Sequence, residues 1–407
     1  MNYGRYIKLT ETKNTMHSSI QVGKLIGIPI KLHFSFIFIL FVFILAFANS
    51  PSREYRVPMG LGGLGMSAPY RYFVATIAAI LFFFTLLLHE MAHSYVAMKF
   101  GTKIHSITLF FFGGVAMMEE LPKNPGEEWR IAIAGPIMSL IIGALFYIVY
   151  HGVNALNVAI YHDHPAAILL VVIGSFNVIL AIFNLVPAFP MDGGRILRAF
   201  FAMRMSFSKA TQRAVLIGKI FAFAMIIAGI SKADPFSFIL TGEWRYNLWL
   251  PILGLFLYMA AAEEEKATAT FAALEGIKVR EVMRIEGTIV PADITIEELV
   301  RTMLVEKTAE YAVVNAGGEL SGYITLGAVK RTPIEQRWFL RVSDVMHHLD
   351  SFKDVVLEEE AASEALKRML RNKTEVLAVK EEEHGRFVGL ITRSDLAMYI
   401  EMLKVRV

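Results

Sequence analysis

A run of apolar residues from Tyr72 to Leu88 ends directly in His89-Glu90-Met91-Ala92-His93. On a helix, residues four apart share a face, so His89 and His93 present two imidazoles to one metal ion. Glu90 then lies beside that ion, where a carboxylate can take a proton from a water the metal activates. In a soluble helix this motif signals zinc-dependent hydrolysis. Here the helix that carries it is apolar enough to lie in a bilayer. The rest of the chain has to reconcile hydrolysis with that solvent.

Composition agrees with a membrane setting. Of 407 residues, 55% are hydrophobic, and the mean hydropathy is +0.50, values typical of multi-pass membrane proteins. A formal net charge of +3 does not point to a direct nucleic-acid partner. The chain has no cysteine, which excludes disulfides and thiolate-ligated metals. Any metal site must be built from histidines and carboxylates, as hydrolytic zinc centres are.

Residues 1–31 form a polar segment with Arg5, Lys8, Lys13, Lys24 and Lys31. Apolar stretches then predict six membrane spans: Leu32 to Ala48, Arg71 to Phe100, Trp129 to Tyr150, Ala166 to Pro187, Ala214 to Ile230, and Tyr246 to Ala262. Between the first two, Gly60-Leu61-Gly62-Gly63-Leu64-Gly65 has no strand before it and reads as a flexible loop, not a phosphate cradle. Ser106 to Phe112 and Val115 to Met118 read as a short strand pair around Gly113-Gly114. Glu119, Glu120, Glu127 and Glu128 around Pro122 and Pro125 mark a turn at the water interface. Arg195, Arg198, Arg204, Lys209 and Arg213 follow the fourth span, while the loop before it has no Lys or Arg. This bias predicts a multi-pass protein of the cell membrane with both termini cytoplasmic.

At Glu263-Glu264-Glu265-Lys266 the composition turns soluble, which marks residues 263–276 as a linker. From 277 to 407 the chain repeats itself. Val279-Arg280-Glu281-Val282-Met283 is echoed by Val342-Ser343-Asp344-Val345-Met346, and Gly322-Tyr323-Ile324-Thr325 by Gly389-Leu390-Ile391-Thr392. Amphipathic helices at Ile296 to Glu306 and Ala361 to Asn372 complete two α/β units, about 277–333 and 340–402. The fold class is therefore a polytopic helical membrane domain, 32–262, followed by a cytoplasmic α/β tandem.

Two histidines leave a catalytic zinc site one protein ligand short. Asp192 is the candidate: a carboxylate at membrane depth, after two prolines and before two glycines, in backbone that cannot be regular helix. Taken alone, Asp192-Gly193 is equally well an interfacial turn. With the histidine pair in another span, the ligand reading is favoured.

Here the chain resembles the site-2 protease family of intramembrane zinc metalloproteases. His89 to His93 matches its HExxH motif, and Asn184 through Gly193 matches its NxxPxxPxDG motif. Phe112-Gly113-Gly114 and Gly135-Pro136 extend the match, and the tail resembles a pair of CBS modules. The resemblance implies one zinc ion on His89, His93 and Asp192, with Glu90 as general base. It implies that Asn184 orients the substrate carbonyl, an interhelical hydrogen bond being its alternative. The strand at Gly113 and Gly114 would pair with an unwound segment of a membrane-protein substrate. Family members often carry Asn three residues after Gly-Pro; Ser139 stands there and is given no role. In CBS modules a Thr and an Asp hold a nucleotide ribose. The second copy has Thr392 and Asp395, whereas the first has Thr325 but Ala328, so one adenosine-nucleotide site at most is expected. Dimerisation or docking is the other use of such a pair.

The function expected is hydrolysis of a peptide bond in or near a transmembrane segment, modulated through the CBS pair. A CBS-gated transporter or channel is the alternative, although the spans carry almost no charge outside the metal constellation.

Overall fold

Six apolar stretches become helices α1 (Ser35–Asn49), α2 (Ala68–Lys99), α3 (Pro125–Ala155), α4 (Pro165–Asn184), α6 (Phe207–Ile230) and α7 (Trp249–Ala273). The computed structural model describes residues 19–52, 58–111, 113–118, 124–155, 164–231, 233–234, 238, 242–244, 246–283, 289–348, 355–372, 374–382 and 387–405. Arg5, Lys8, Lys13, Phe112, Glu119, Glu120 and Pro122 lie outside these residues. Among the described residues, four helices are long and apolar enough to cross a membrane: Ala68–Lys99, Pro125–Val153, Pro165–Asn184 and Phe207–Ile230. α1 is apolar but has 15 residues, about 22 Å of helix against roughly 30 Å of hydrocarbon. α7 has 25 residues and runs through Glu263–Lys266 to Ala273, across much of the stretch where composition turns soluble.

Two elements depart from expectation. Residues before the first apolar helix are not simply a polar lead-in. Strands β1 (Ser19–Leu25) and β2 (Ile28–His33) form an antiparallel hairpin around Ile26 and Gly27, both at positive φ. Two such residues suit the tight turn that matches strand twist. β2 pairs in parallel with β3 (Ile104–Phe110), which pairs antiparallel with β4 (Gly113–Met118), giving the order β1-β2-β3-β4. Secondly, Asp192 does not sit in irregular backbone. It opens a helix, α5 (Asp192–Ala202), with Met191 as N-cap. The irregular segment is the one before it, with a cis peptide at Phe189–Pro190.

The sheet packs on α2 through Ile28, Ile30, Ile107 and Met91. On another side, α2 meets α1 and α4 in an aromatic core with Phe36, Phe47, Phe82 and Phe83 buried and Phe43 and Phe176 against them. Phe84 faces outward, 51% exposed. The glycine-rich patch is packed rather than loose. Leu61 and Leu64 are buried, and a Cβ at Gly60 or Gly62 would fall 2.6 Å from a carbonyl oxygen at the end of α1.

The chain divides into two units, Met1–Lys266 and Ala267–Val407. In the second, β5 (Ile289–Pro291), β6 (Glu310–Val314) and β7 (Leu320–Thr325) repeat as β9 (Val355–Leu357), β10 (Val376–Lys380) and β11 (Phe387–Thr392). Each trio has one parallel and one antiparallel pairing in the same order. Helices α9 (Ile296–Glu306) and α10 (Leu326–Arg331) cover the first trio and α12 (Ala362–Asn372) the second, and the short strand β8 (His347–His348) pairs with β7. The sheets meet through Ala312, Tyr323, Val376, Ala378 and Leu390. The short helix α8 (Val279–Val282) packs into the second repeat's core, whereas α11 (Val342–Val345) packs into the first.

Candidate metal centre

His89 and His93 lie one turn apart on α2, 2% and 6% exposed. Asp192, 8% exposed, reaches them from the first turn of α5. Gly193 and Gly194 let that turn back onto its own loop, since a Cβ at 193 would stand 2.3 Å from the Val186 carbonyl oxygen. The two Nε2 atoms are 3.2 Å apart, and Asp192 Oδ2 is 3.1 Å from His93 Nε2 and 3.4 Å from His89 Nε2. A tetrahedral zinc with bonds of about 2.0–2.1 Å has ligand atoms roughly 3.3–3.4 Å apart. The three atoms match that edge length. The donor set, two imidazoles and a carboxylate, leaves a fourth position open as a catalytic site requires. Among the described residues this is the one His/Asp/Glu group placed to hold a metal ion.

The remaining ring nitrogens are also fixed. His93 Nδ1 donates to the Ile131 carbonyl at 2.6 Å. A carbonyl only accepts, so a proton is on Nδ1, which leaves Nε2 as the nitrogen able to bind a metal at the centre. His89 Nδ1 meets the buried Ser139 Oγ at 2.9 Å. Ile131 and Ser139 both come from α3, which approaches at Gly135. A Cβ there would fall 2.1 Å from His93 Nε2 and 2.5 Å from His89 Nε2, in the ligand space itself. Ser139 is the residue to which motif reading gave no role, although it stands where family members often carry Asn. Its place one turn beyond Gly135 puts it on the face that meets the histidines.

Glu90 points at β4. A Cβ on Gly114 would stand 2.5 Å from Glu90 Cγ and 3.3 Å from Oε1, so this strand runs against the carboxylate with no side chain between. β4 is also the terminal strand of its sheet. Asn184 closes α4, and its Nδ2 donates to Leu180 O at 2.9 Å within that helix. Thr392 and Asp395, in the other unit, are buried and bond each other: Thr392 Oγ1 donates to Asp395 Oδ2 at 2.7 Å, and the Asp395 N–H donates to Thr392 Oγ1 at 3.1 Å. Thr325 caps its own helix by accepting from Ala328 N at 3.3 Å.

The signature of Peptidase family M50 matches residues 77–167 and 154–227, and that of the CBS domain matches 279–334 and 342–402. A zinc metalloprotease of Methanocaldococcus jannaschii is 32% identical over 391 residues, 96% of this chain and 98% of that protein. Rip3 of Mycobacterium tuberculosis, which also carries a zinc metalloprotease name, is 29% identical over 396 residues, 96% of this chain and 95% of Rip3. A solved site-2 protease from Methanocaldococcus jannaschii is 37% identical, covering 61% of this chain and 95% of that one at a TM-score of 0.41. Kinship with peptidases along nearly the whole length favours the hydrolytic reading over the transporter. The chain belongs to peptidase family M50, the site-2 protease family of intramembrane zinc metalloproteases, and carries a pair of CBS domains.

Proposed function

We propose that His89, His93 and Asp192 hold one catalytic zinc ion and that Glu90 is the general base for peptide hydrolysis at this centre. The tetrahedral spacing of Nε2, Nε2 and Oδ2 is the observation that carries this reading. Zinc in such a site supplies Lewis acidity toward water and toward the scissile carbonyl. Glu90 takes the proton of the attacking water on its carboxylate and delivers it to the departing amine as the C–N bond breaks. Ser139 and the Ile131 carbonyl hold the imidazoles in the tautomer that binds metal. β4, through Gly113 and Gly114, offers backbone groups to a substrate segment unwound from its helix, because a helical peptide bond is sequestered by its own hydrogen bonds. Asn184 orients the substrate carbonyl near the start of the Asp192 loop.

In this reading the domain from 32 to 262 spans the bilayer six times with both termini cytoplasmic. α1 and α7 are the first and sixth spans, joining the four helices between them. The substrate is a membrane-tethered protein cut in or near its transmembrane segment. Residues 277–407 sense an adenosine nucleotide through Thr392 and Asp395 and provide a surface for homodimer formation.

Glu90→Gln should abolish cleavage of a reporter transmembrane segment with zinc still bound, and Asp192→Ala should lower zinc content. Retained cleavage in the first or full metal in the second overturns the assignment. The natural absence of cysteine suits a topology test: single cysteines at the termini should react with an impermeant maleimide only from the cytoplasmic side. Calorimetry with adenosine nucleotides, on the full chain and on Asp395→Ala, tests the tail.

A further inference from the structure

Arg198 is among the largest fully buried side chains of the protein, 2% exposed, in the unit that bears the membrane-crossing helices. A buried guanidinium is costly unless nearly every donor is used. Its Nε and Nη2 both donate to Glu128 Oε1, at 2.8 and 2.5 Å, and Nη1 donates to Glu264 Oε1 at 2.5 Å. Its plane lies near two rings, 5.0 Å from the Phe189 centroid and 4.7 Å from that of Phe207. Only a planar, forked cation can make these contacts together.

Two of these partners, Glu128 and Phe189, belong to segments that hold part of the metal centre. Arg198 rides on α5, whose first residue is Asp192. Phe189 lies in the loop that delivers Asp192. Glu128 is in the first turn of α3, three residues before Ile131, the residue whose carbonyl orients His93. Glu264, on α7, closes the cluster from the remaining side. The histidines come from α2, so the third ligand keeps its place only if α5 is held in register with α3. We propose that Arg198 is a positioning residue for the zinc site, fixing Asp192 relative to His93 by locking α5 to the first turn of α3.

This rests on the assignment of His89, His93 and Asp192 as ligands, and the test keeps the two apart. The full chain, purified in detergent, is titrated with zinc against a chromophoric chelator. Cobalt is then substituted to read the ligand-field spectrum, and thermal unfolding is followed alongside. The variants are Arg198→Met, the apolar double replacement Arg198→Met with Glu128→Leu, and Arg198→Lys. An apolar pair of similar volume commonly matches or exceeds the stability of a buried ion pair. The double variant is therefore expected to regain thermal stability yet bind zinc about 10- to 100-fold more weakly, the range for residues that orient metal ligands, with an altered cobalt spectrum. Arg198→Lys keeps the charge without the fork and should show the same loss of affinity if the double variant does not fold. Wild-type zinc affinity and spectrum in either variant would overturn the proposal. A wild-type chain that took up no zinc would instead overturn the ligand assignment.

Discussion

At the scale of single residues, a metal site depends on atoms that never touch the metal. The Nε2 of His89 faces Asp192 because its Nδ1 is tied to Ser139. Ser139→Ala removes that tie and leaves a ring free to rotate or to protonate on the wrong nitrogen. Zinc affinity should fall about 10- to 100-fold, measured by chelator competition, with the helical content of the protein unchanged. The grouping of His89, His93 and Asp192 was legible in the chain because each sits in a short motif whose chemistry and spacing coincide. The part of Ser139, noted only as a departure from the family pattern, was not. A serine in an apolar helix has no chemical meaning until another helix is laid beside it. Gly135 was visible as part of Gly-Pro, yet its reason is spatial: no Cβ fits between α3 and the two imidazoles. Arg198 was counted for the sign of its charge, as one of several loop cations. Its burial between Phe189, Phe207 and two glutamates is a property of packing alone.

At the scale of elements, apolar length located the long helices to within a few residues at most ends, since hydrocarbon thickness is a stringent ruler. The helix Ile296–Glu306 was read to both of its ends from amphipathic spacing. Composition failed where an element is short and two-faced. In Ser19–Leu25, polar and apolar residues mix, and the hairpin becomes a strand pair because β2 finds β3 seventy-odd residues away in the chain. The same sheet brings β4 against Glu90, and this makes a prediction. Gly114→Ala would add a Cβ 2.5 Å from Glu90 Cγ, so the carboxylate must shift while the ligands stay where they are. A displacement near 1 Å at a reacting group costs on the order of 100-fold in rate. Cleavage of a reporter segment should drop by about that factor in kcat, with zinc stoichiometry intact. Loss of zinc instead would mean that β4 supports the ligands rather than the base.

At the scale of the whole molecule, the two CBS repeats are not independent beads. α8 opens the first repeat in the chain but buries Val279 and Val282 in the core of the second. α11 opens the second and buries Val342 in the core of the first. Each repeat therefore completes the other, and the pair should unfold in one cooperative step. The exchange is secured by charge. Lys278 and Arg280, flanking and opening α8, both bond Glu359 of the second repeat, and these contacts hold the Glu359 carboxyl below its ordinary value of 4.5. Glu298 is lowered too, by hydrogen bonds from the backbone and hydroxyl of Thr295 at the N-terminus of α9. A carboxylate depressed by folding contributes stability that is fully present above its unfolded value and is lost as pH falls through the folded one. The window is therefore acidic, below about pH 4.5. Glu298 is exposed and Glu359 half-buried at the surface, so each effect is small and weakened by salt. A fragment covering 267–407 should melt at progressively lower temperature from about pH 5 down to about pH 3, in one transition. The double variant Glu298→Gln with Glu359→Gln should start lower and fall less steeply. Two separate transitions would mean that the repeats fold alone, and an equally steep fall in the double variant would place the acid sensitivity in other carboxylates.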